Sequence, residues 1–252
     1  MTATSFDAPA VVGIETATET VGVAVRTAEG TLAECTLTGR RRHVETLVPA
    51  LEHLLGQVGL DRRDIGAVAV DVGPGLFTGL RVGVATAKGL AQSLGLGVLA
   101  LTSLEVLAAA AADAGRRGTV LSCVDARRGE VFAAGYDVGH DGAVSHAVLA
   151  PGLFTPAALA LALKGLVAES DGPEPSVQCV GDGALRYGDV LEQVPGVRAY
   201  APALSFPPPA TLVRLALGAL AEGAVPSEPS AVVPLYFRQA DAVSNFARAE
   251  RA

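Results

Sequence analysis

The stretch at 67–91, AVAVDVGPGLFTGLRVGVATAKGLA, decides the fold. An apolar run ends at Asp71, turns through Gly73-Pro74-Gly75-Leu76-Phe77-Thr78-Gly79, and enters a segment poor in large side chains. The stretch from 65 to 72, with no polar residue before Asp71, suits a strand buried on both faces, as in a parallel sheet. Strand, glycine turn and helix in that order make one unit of an α/β fold. Backbone amides and the helix dipole at such a turn can receive an anion. The loop is not a Walker A motif: it has no Gly-Lys-Ser/Thr, and Lys88 stands well inside the helix. For Gly73, Gly75, Thr78 and Gly79, a tight turn and an anion or nucleotide site are both open readings.

The helix expected at 79–94 carries Gly79, Gly83, Ala87 and Ala91 four apart, on one face. A glycine inside a helix costs about 1 kcal/mol relative to alanine. Close approach of another backbone would offset that cost. The approaching group is either the sheet beneath or a helix of a partner chain.

Working outward, 11–14, 21–25 and 31–37 read as three strands on short connections, hence an antiparallel meander. From 40 to 58 an apolar stripe at helical spacing runs through Val44, Leu47, Val48, Leu51, Leu54, Leu55 and Val58. Pro49 predicts a helix that starts near Thr46 or bends at Pro49. A strand at 98–101 and an Ala-rich helix at 104–114 follow, so the first half reads βββαβαβα. Beyond 116–118, strands at 119–124, 130–138 and 144–149, a helix at 155–168 and a strand at 177–180 begin the same order again. Pro207-Pro208-Pro209 opens a last helix at 210–222. The tail with Pro226, Pro229 and Pro234 reads as extended.

Half of the 252 residues are apolar, the net charge is −7, and no apolar run reaches the length of a membrane span. The first residues lack the basic and apolar regions of a secretory signal. Cys35, Cys123 and Cys179 stand far apart, which fits buried thiols in a reducing cytoplasm. Arginines come in small knots, such as Arg40-Arg41-Arg42 and Arg127-Arg128, without interleaved aromatics. An acidic chain of this kind is expected to meet RNA only through another chain. The four histidines include no HExxH and no i, i+4 pair, so protease-type metal chemistry has no visible ligands. Glu15, Asp71 and Asp125 stand at strand ends or turns, where α/β proteins place ligands. Gly181-Asp182-Gly183 forms a further glycine turn before a helix.

The run Gly73 through Gly83, with Ala85-Thr86-Ala87-Lys88-Gly89-Leu90-Ala91, resembles the signature of the TsaB (YeaZ) family. The same family pattern appears in Glu15-Thr16-Ala17-Thr18, His43-Val44-Glu45-Thr46-Leu47-Val48-Pro49 and Thr102-Ser103-Leu104-Glu105. It continues in Asp125-Ala126-Arg127-Arg128-Gly129-Glu130-Val131-Phe132 and Pro234-Leu235-Tyr236-Phe237-Arg238. The resemblance implies an actin-like (ASKHA, ribonuclease H-like) α/β fold of two lobes, each a mixed five-stranded sheet with flanking helices. The expected bounds are a first lobe at 1–115, a smaller second lobe at 116–206, and a C-terminal helix and tail at 207–252.

The resemblance also implies a cytoplasmic, non-catalytic subunit in synthesis of threonylcarbamoyladenosine at position 37 of tRNA. Such a subunit pairs with the paralogue TsaD and with the ATPase TsaE, or with itself when alone, and reaches tRNA only through the complex. No cofactor is assigned to the chain itself, with ATP or ADP in the complex as the one to consider. TsaD holds a metal through two histidines, and the matching positions here are Ser103 and Leu107, which cannot ligate it. The family's interface helices map onto Leu47, Leu51 and Leu54, and onto Arg81, Gly83, Thr86, Ala87 and Leu90. Anion or nucleotide loops would involve Gly73, Gly75, Thr78, Gly79, Asp125, Gly181 and Gly183. The family's first strand usually ends in Asp-Thr, whereas here it ends in Glu15-Thr16. Two rival readings are an ATP-dependent, sugar-kinase-like phosphotransferase and an M22-type metalloprotease.

Overall fold

The structure, a computed structural model, describes residues 9–39, 43–168, 176–199 and 202–237. The knot Arg40-Arg41-Arg42, the loop at 171–175 and Arg238 lie outside the described residues.

Three strands, β1 (Ala10–Glu15), β2 (Thr20–Arg26) and β3 (Leu32–Thr38), form the expected meander. After α1 (His43–Val58) come β4 (Ile65–Asp71), α2 (Phe77–Leu94) and β5 (Val98–Leu101). The sheet order is β3-β2-β1-β4-β5, with β4 parallel to both β1 and β5. The helix α3 (Ser103–Asp113) then leaves for the second lobe, opened by a capping box between Thr102 and Glu105.

The second lobe repeats the plan in full. Its strands are β6 (Gly118–Arg127), β7 (Glu130–Val138), β8 (Val144–Phe154), β9 (Val177–Val180) and β10 (Val197–Ala199). Its helices are α4 (Pro156–Ala168), α5 (Asp182–Leu191) and α6 (Pro209–Ala221). The order β8-β7-β6-β9-β10 matches the first sheet strand for strand. The chain is thus two βββαβαβα units, the two-lobe α/β architecture of mixed five-stranded sheets expected from the sequence. The sequence reading had not marked β10, because three residues are too few to show a period.

Each unit sends its last helix across the molecule. Leu104, Leu107, Ala108 and Ala111 of α3 pack into the core of the second sheet. Leu212, Val213 and Ala216 of α6 pack on the far face of the first sheet, against Val11, Ala24 and Ala69. Fully burying a Leu or Val side chain contributes about 1.5–3 kcal/mol, so these crossings bind the lobes together. Outside this central helical layer, α1 and α2 cover one sheet and α4 and α5 the other. The helix α1 runs as one assigned helix from His43 with Pro49 inside it, so the late start near Thr46 does not occur. Pro49 points its ring to solvent and gives up only one helical hydrogen bond.

After α6 the chain returns over the first lobe. Val98 and Ser227 exchange backbone hydrogen bonds, and the Leu235 amide donates to Val72 O at 2.7 Å. Lys88 Nζ donates to Val232 O at 3.0 Å, so the lysine after the glycine loop serves as a strap anchor. Phe237 then stacks at 5.9 Å on Phe132 of β7.

Candidate functional site

The C-terminal ends of β1 and β4 bring Glu15 and Asp71 side by side, both fully buried. Glu15 accepts hydrogen bonds from the Ala17 amide at 2.7 Å and the Thr20 hydroxyl at 2.9 Å. Asp71 Oδ1 accepts from the Gly73 amide at 2.7 Å and the Ser103 hydroxyl at 2.8 Å. Burial pushes the Asp71 carboxyl up to about 7. Burial, followed by the Asp71 charge, raises Glu15 well above the usual carboxylate range.

The glycine loop is pressed against this corner rather than opened to a ligand. The Leu76 amide donates to Ala17 O, and Thr16 Oγ1 donates to Gly79 O at 2.8 Å. A Cβ on Gly75 would lie 2.1 Å from Ala17 O, one on Gly79 2.1 Å from Thr16 O, and one on Gly83 2.2 Å from Thr16 Oγ1. The glycines therefore let α2 and its loop close on the β1–β2 turn. The polar groups that such a Cβ would meet are the carbonyl oxygens of Thr16 and Ala17 and the Thr16 hydroxyl. This close fit explains why Gly75 and Gly79 stand in the loop, and Thr78 is exposed at the helix start.

The second lobe repeats the corner with different chemistry. A Cβ on Gly181 would lie 2.0 Å from Cys123 O, and one on Gly183 would lie 2.7 Å from Val131 Cγ2. These glycines seat α5 on β6. Asp125, only 3 % exposed, pairs with Arg127 at 2.9 Å and accepts the Arg127 amide at 3.0 Å. Arg186 stands 3.6 Å away and the Tyr187 hydroxyl 3.4 Å away. Arg127 also pairs with Glu19 of the β1–β2 turn, which joins the two hairpin tips across the lobes. Arg127 and Arg128 hold positive φ angles of 63° and 57°, an uncommon backbone state for side chains of this size. Asp182 accepts the Asp125 amide at 2.9 Å, and burial raises its carboxyl to about 6. Burial also pushes the Cys179 thiol up to about 12, which makes it a packing residue rather than a nucleophile.

The α1–α2 face corrects part of the sequence reading. Leu47, Leu51 and Leu54 point into the core of the first lobe, and so do Gly83 and Ala87. All five residues are buried in this structure. The small-residue face of α2 serves the chain's own β1–β2 turn, because the sheet was the nearer backbone. Arg81 is exposed, with Thr86 and Leu90 half-buried. The outward surface instead carries Val44, 73 % exposed, Val48, 45 % exposed, and Ala85 and Gly89 of α2. A Cβ on Gly89 would meet nothing within 4 Å. Val44 and Val48 were assigned to the core stripe. Their helical phase lies within about 20° of buried Leu55, so periodicity could not have separated them. Arg81 lies 3.7 Å over the Phe77 ring and donates to the Tyr236 hydroxyl at 3.2 Å, so the strap borders the same surface.

Among the described residues, no group of three or more His, Cys, Asp or Glu side chains could hold a metal ion. Of the two positions matched to the metal-binding histidines, Ser103 is bonded to Asp71 and Leu107 is fully buried in the second core. No described helix is long and apolar enough to cross a membrane. A separate groove of about 740 Å³ lies between the β2–β3 hairpin and α6, lined by Arg26, Leu32, Val213, Leu217 and Leu220 among others. It contains none of the residues singled out by the sequence.

The family model described as TsaD: tRNA N6-adenosine threonylcarbamoyltransferase matches residues 31–245. The tRNA threonylcarbamoyladenosine biosynthesis protein TsaB of Bacillus subtilis is 36% identical over 124 residues, 48% of this chain and 52% of that protein. The protein of the same name from Escherichia coli is 34% identical over 132 residues, 52% of this chain and 57% of that protein. The chain spans about half the length of these curated relatives. The solved structure of YeaZ from Pseudomonas aeruginosa superposes with a TM-score of 0.77 at 26% identity, covering 90% of this chain and 99% of that one.

Proposed function

We propose, from the premise that this chain belongs to the TsaD family and to its TsaB (YeaZ) branch, that it is a non-catalytic subunit of the threonylcarbamoyladenosine machinery. Its work is to bind and support a TsaD chain that carries out the transfer to tRNA. The observation that carries this reading is the uncovered α1–α2 surface. Two valines one helical turn apart face solvent beside Ala85, Gly89 and Arg81. Exposed apolar residues on adjoining helices, with no bulk above Gly89, suit close packing by another chain's helices. The residues proposed for contact are therefore Val44, Val48, Arg81, Ala85, Thr86, Gly89 and Leu90.

Further support comes from the chemistry the chain has given up. Ser103 and Leu107 are committed to structure, so the metal-binding positions of the paralogue are spent on hydrogen bonding and packing. In the same proposal, a homodimer would use the same face and compete with TsaD. TsaE would join the assembled complex, in which ATP or ADP would bind, and tRNA would be reached only through it.

Mixing the chain with a TsaD protein should give a complex on gel filtration, and threonylcarbamoyl transfer should depend on both. The double substitution Val48→Asp with Ala85→Glu places two acids on this face without touching the core. It should weaken the complex at least about 100-fold while the melting temperature of the isolated chain stays within about 2 °C. A complex that persists with undiminished affinity would remove the α1–α2 surface from the proposal. Transfer by the chain alone would remove the non-catalytic role.

A further inference from the structure

Glu15 and Asp71 form a corner in which the supply of hydrogen-bond donors falls one short. The parallel pairing of β1 with β4, with Ile14 opposite Val70, sets the two carboxyls next to each other. Four donors reach the pair: the Ala17 and Gly73 amides and the Thr20 and Ser103 hydroxyls. Asp71 Oδ1 takes two of them, and Asp71 Oδ2 is buried with no donor. The strand register sets the Glu15 carboxyl beside it, a neighbour that can supply a donor by carrying a proton in a bond to Asp71 Oδ2. Two ionised carboxylates cannot make that bond, because each is only an acceptor.

We infer that Glu15 and Asp71 together form a buried proton-binding site, in which Glu15 keeps its proton at neutral pH and donates it to Asp71 Oδ2. The proton supplies the missing donor and leaves one negative charge on the pair. That charge rests on Asp71, whose amide and hydroxyl donors tie down Gly73 and the start of α3. Neither carboxyl has an ion-pair partner among the described residues. The ionisable groups on the surrounding elements are His43 of α1, Glu105 of α3 and Glu19 of the β1–β2 turn. His43 Nε2 lies 3.2 Å from Thr18 O, Glu105 is bonded to its own helix cap, and Glu19 is turned to Arg127. Among the described residues, therefore, no cation stands in for the proton. The two groups titrate as a pair, and both are raised by burial.

The sign follows from linkage. Unfolding returns both groups to ordinary carboxylate values, so the folded state binds the extra proton. The stability that the Glu15 proton contributes is complete below those values and is lost as pH rises through the raised value of Glu15 in the folded chain. Loss of the proton would place two charges in a sealed corner beneath the glycine loop.

Thermal unfolding of the full chain at pH values between about 5 and 9 tests this, with infrared detection of a protonated carboxyl at about pH 7.5. The wild type should lose roughly 5–10 °C more than Glu15→Gln across that range, because the glutamine amide donates permanently. The wild type should also show a buried protonated-carboxyl band that Glu15→Gln lacks. The infrared measurement on the wild type stands alone if that variant does not fold. Absence of the band, or an unchanged pH slope in a folded Glu15→Gln, would overturn the proton site.

Discussion

Gly79→Ala is expected to abolish folding of the first lobe or to lower its melting temperature by roughly 10 °C or more. The added methyl would lie 2.1 Å from Thr16 O, and that oxygen belongs to the backbone of the β1–β2 turn. It cannot rotate away as a side chain can. The turn is also pinned from the other side, since the Leu76 amide donates to Ala17 O. Relief would require α2 to lift from the sheet, exposing Val84, Ala87 and Ala91 of the core. The control is ten residues further along the same helix. Gly89→Ala adds the same methyl where nothing lies within 4 Å, and is expected to raise stability by about 0.5–1 kcal/mol from helix propensity alone. Thermal melts of the two single variants decide the matter. Equal effects would show that α2 does not press on the turn. The same comparison separates structure from partner binding: a bulky residue at Gly83 or Ala87 would damage the fold before it could report on an interface.

Asp125→Ala is expected to cost about 2–4 kcal/mol, the largest single loss predicted for the second lobe. Asp125 is buried and receives the Arg127 guanidinium and the Arg127 amide, with Arg186 and the Tyr187 hydroxyl nearby. Removing it leaves the guanidinium with Glu19 alone. It also removes the brace from a residue held at positive φ. The Arg127–Glu19 pair is partly exposed, so Glu19→Ala should cost under about 1 kcal/mol. Chemical denaturation of both variants gives the ratio. A loss at Glu19 as large as that at Asp125 would mean that the contact across the hairpin tips, rather than the buried acid, holds this turn. Asp125→Ala should also lower the Asp182 carboxyl from its raised value of about 6, because a neighbouring negative charge disappears. Proton titration by NMR would detect that shift.

Much of the architecture was legible in the residues. The apolar run into Asp71 and the stripe through Leu47, Leu51, Leu54 and Leu55 report burial directly, whereas the alternation in β2 suggests a half-buried strand and β2 is buried on both faces, because α6 covers the second one. Burial sets the period of apolar side chains in strands and helices. The repeated βββαβαβα order was visible up to β9, and the signature at 73–83 led to the family. The small-residue face of α2 correctly announced a close backbone approach. What it could not announce was whose backbone approached. Leu47, Leu51, Leu54, Gly83 and Ala87 were read as partner contacts, yet they belong to the chain's own core.

The linear order of residues determined which segments become strands and helices and where glycine was required. These are local matters, settled by side-chain size, polarity and spacing. Tertiary structure alone decided that α2 spends its glycines on the β1–β2 turn. It also decided that Val44 and Val48 stay outside while Leu55, in the same phase, goes in. Only folding set Glu15 against Asp71 with one donor too few, and Arg127 between two acids from different lobes. Each of these depends on which surfaces meet, and residues 56, 63 or 108 positions apart meet only when sheets and crossing helices carry them there.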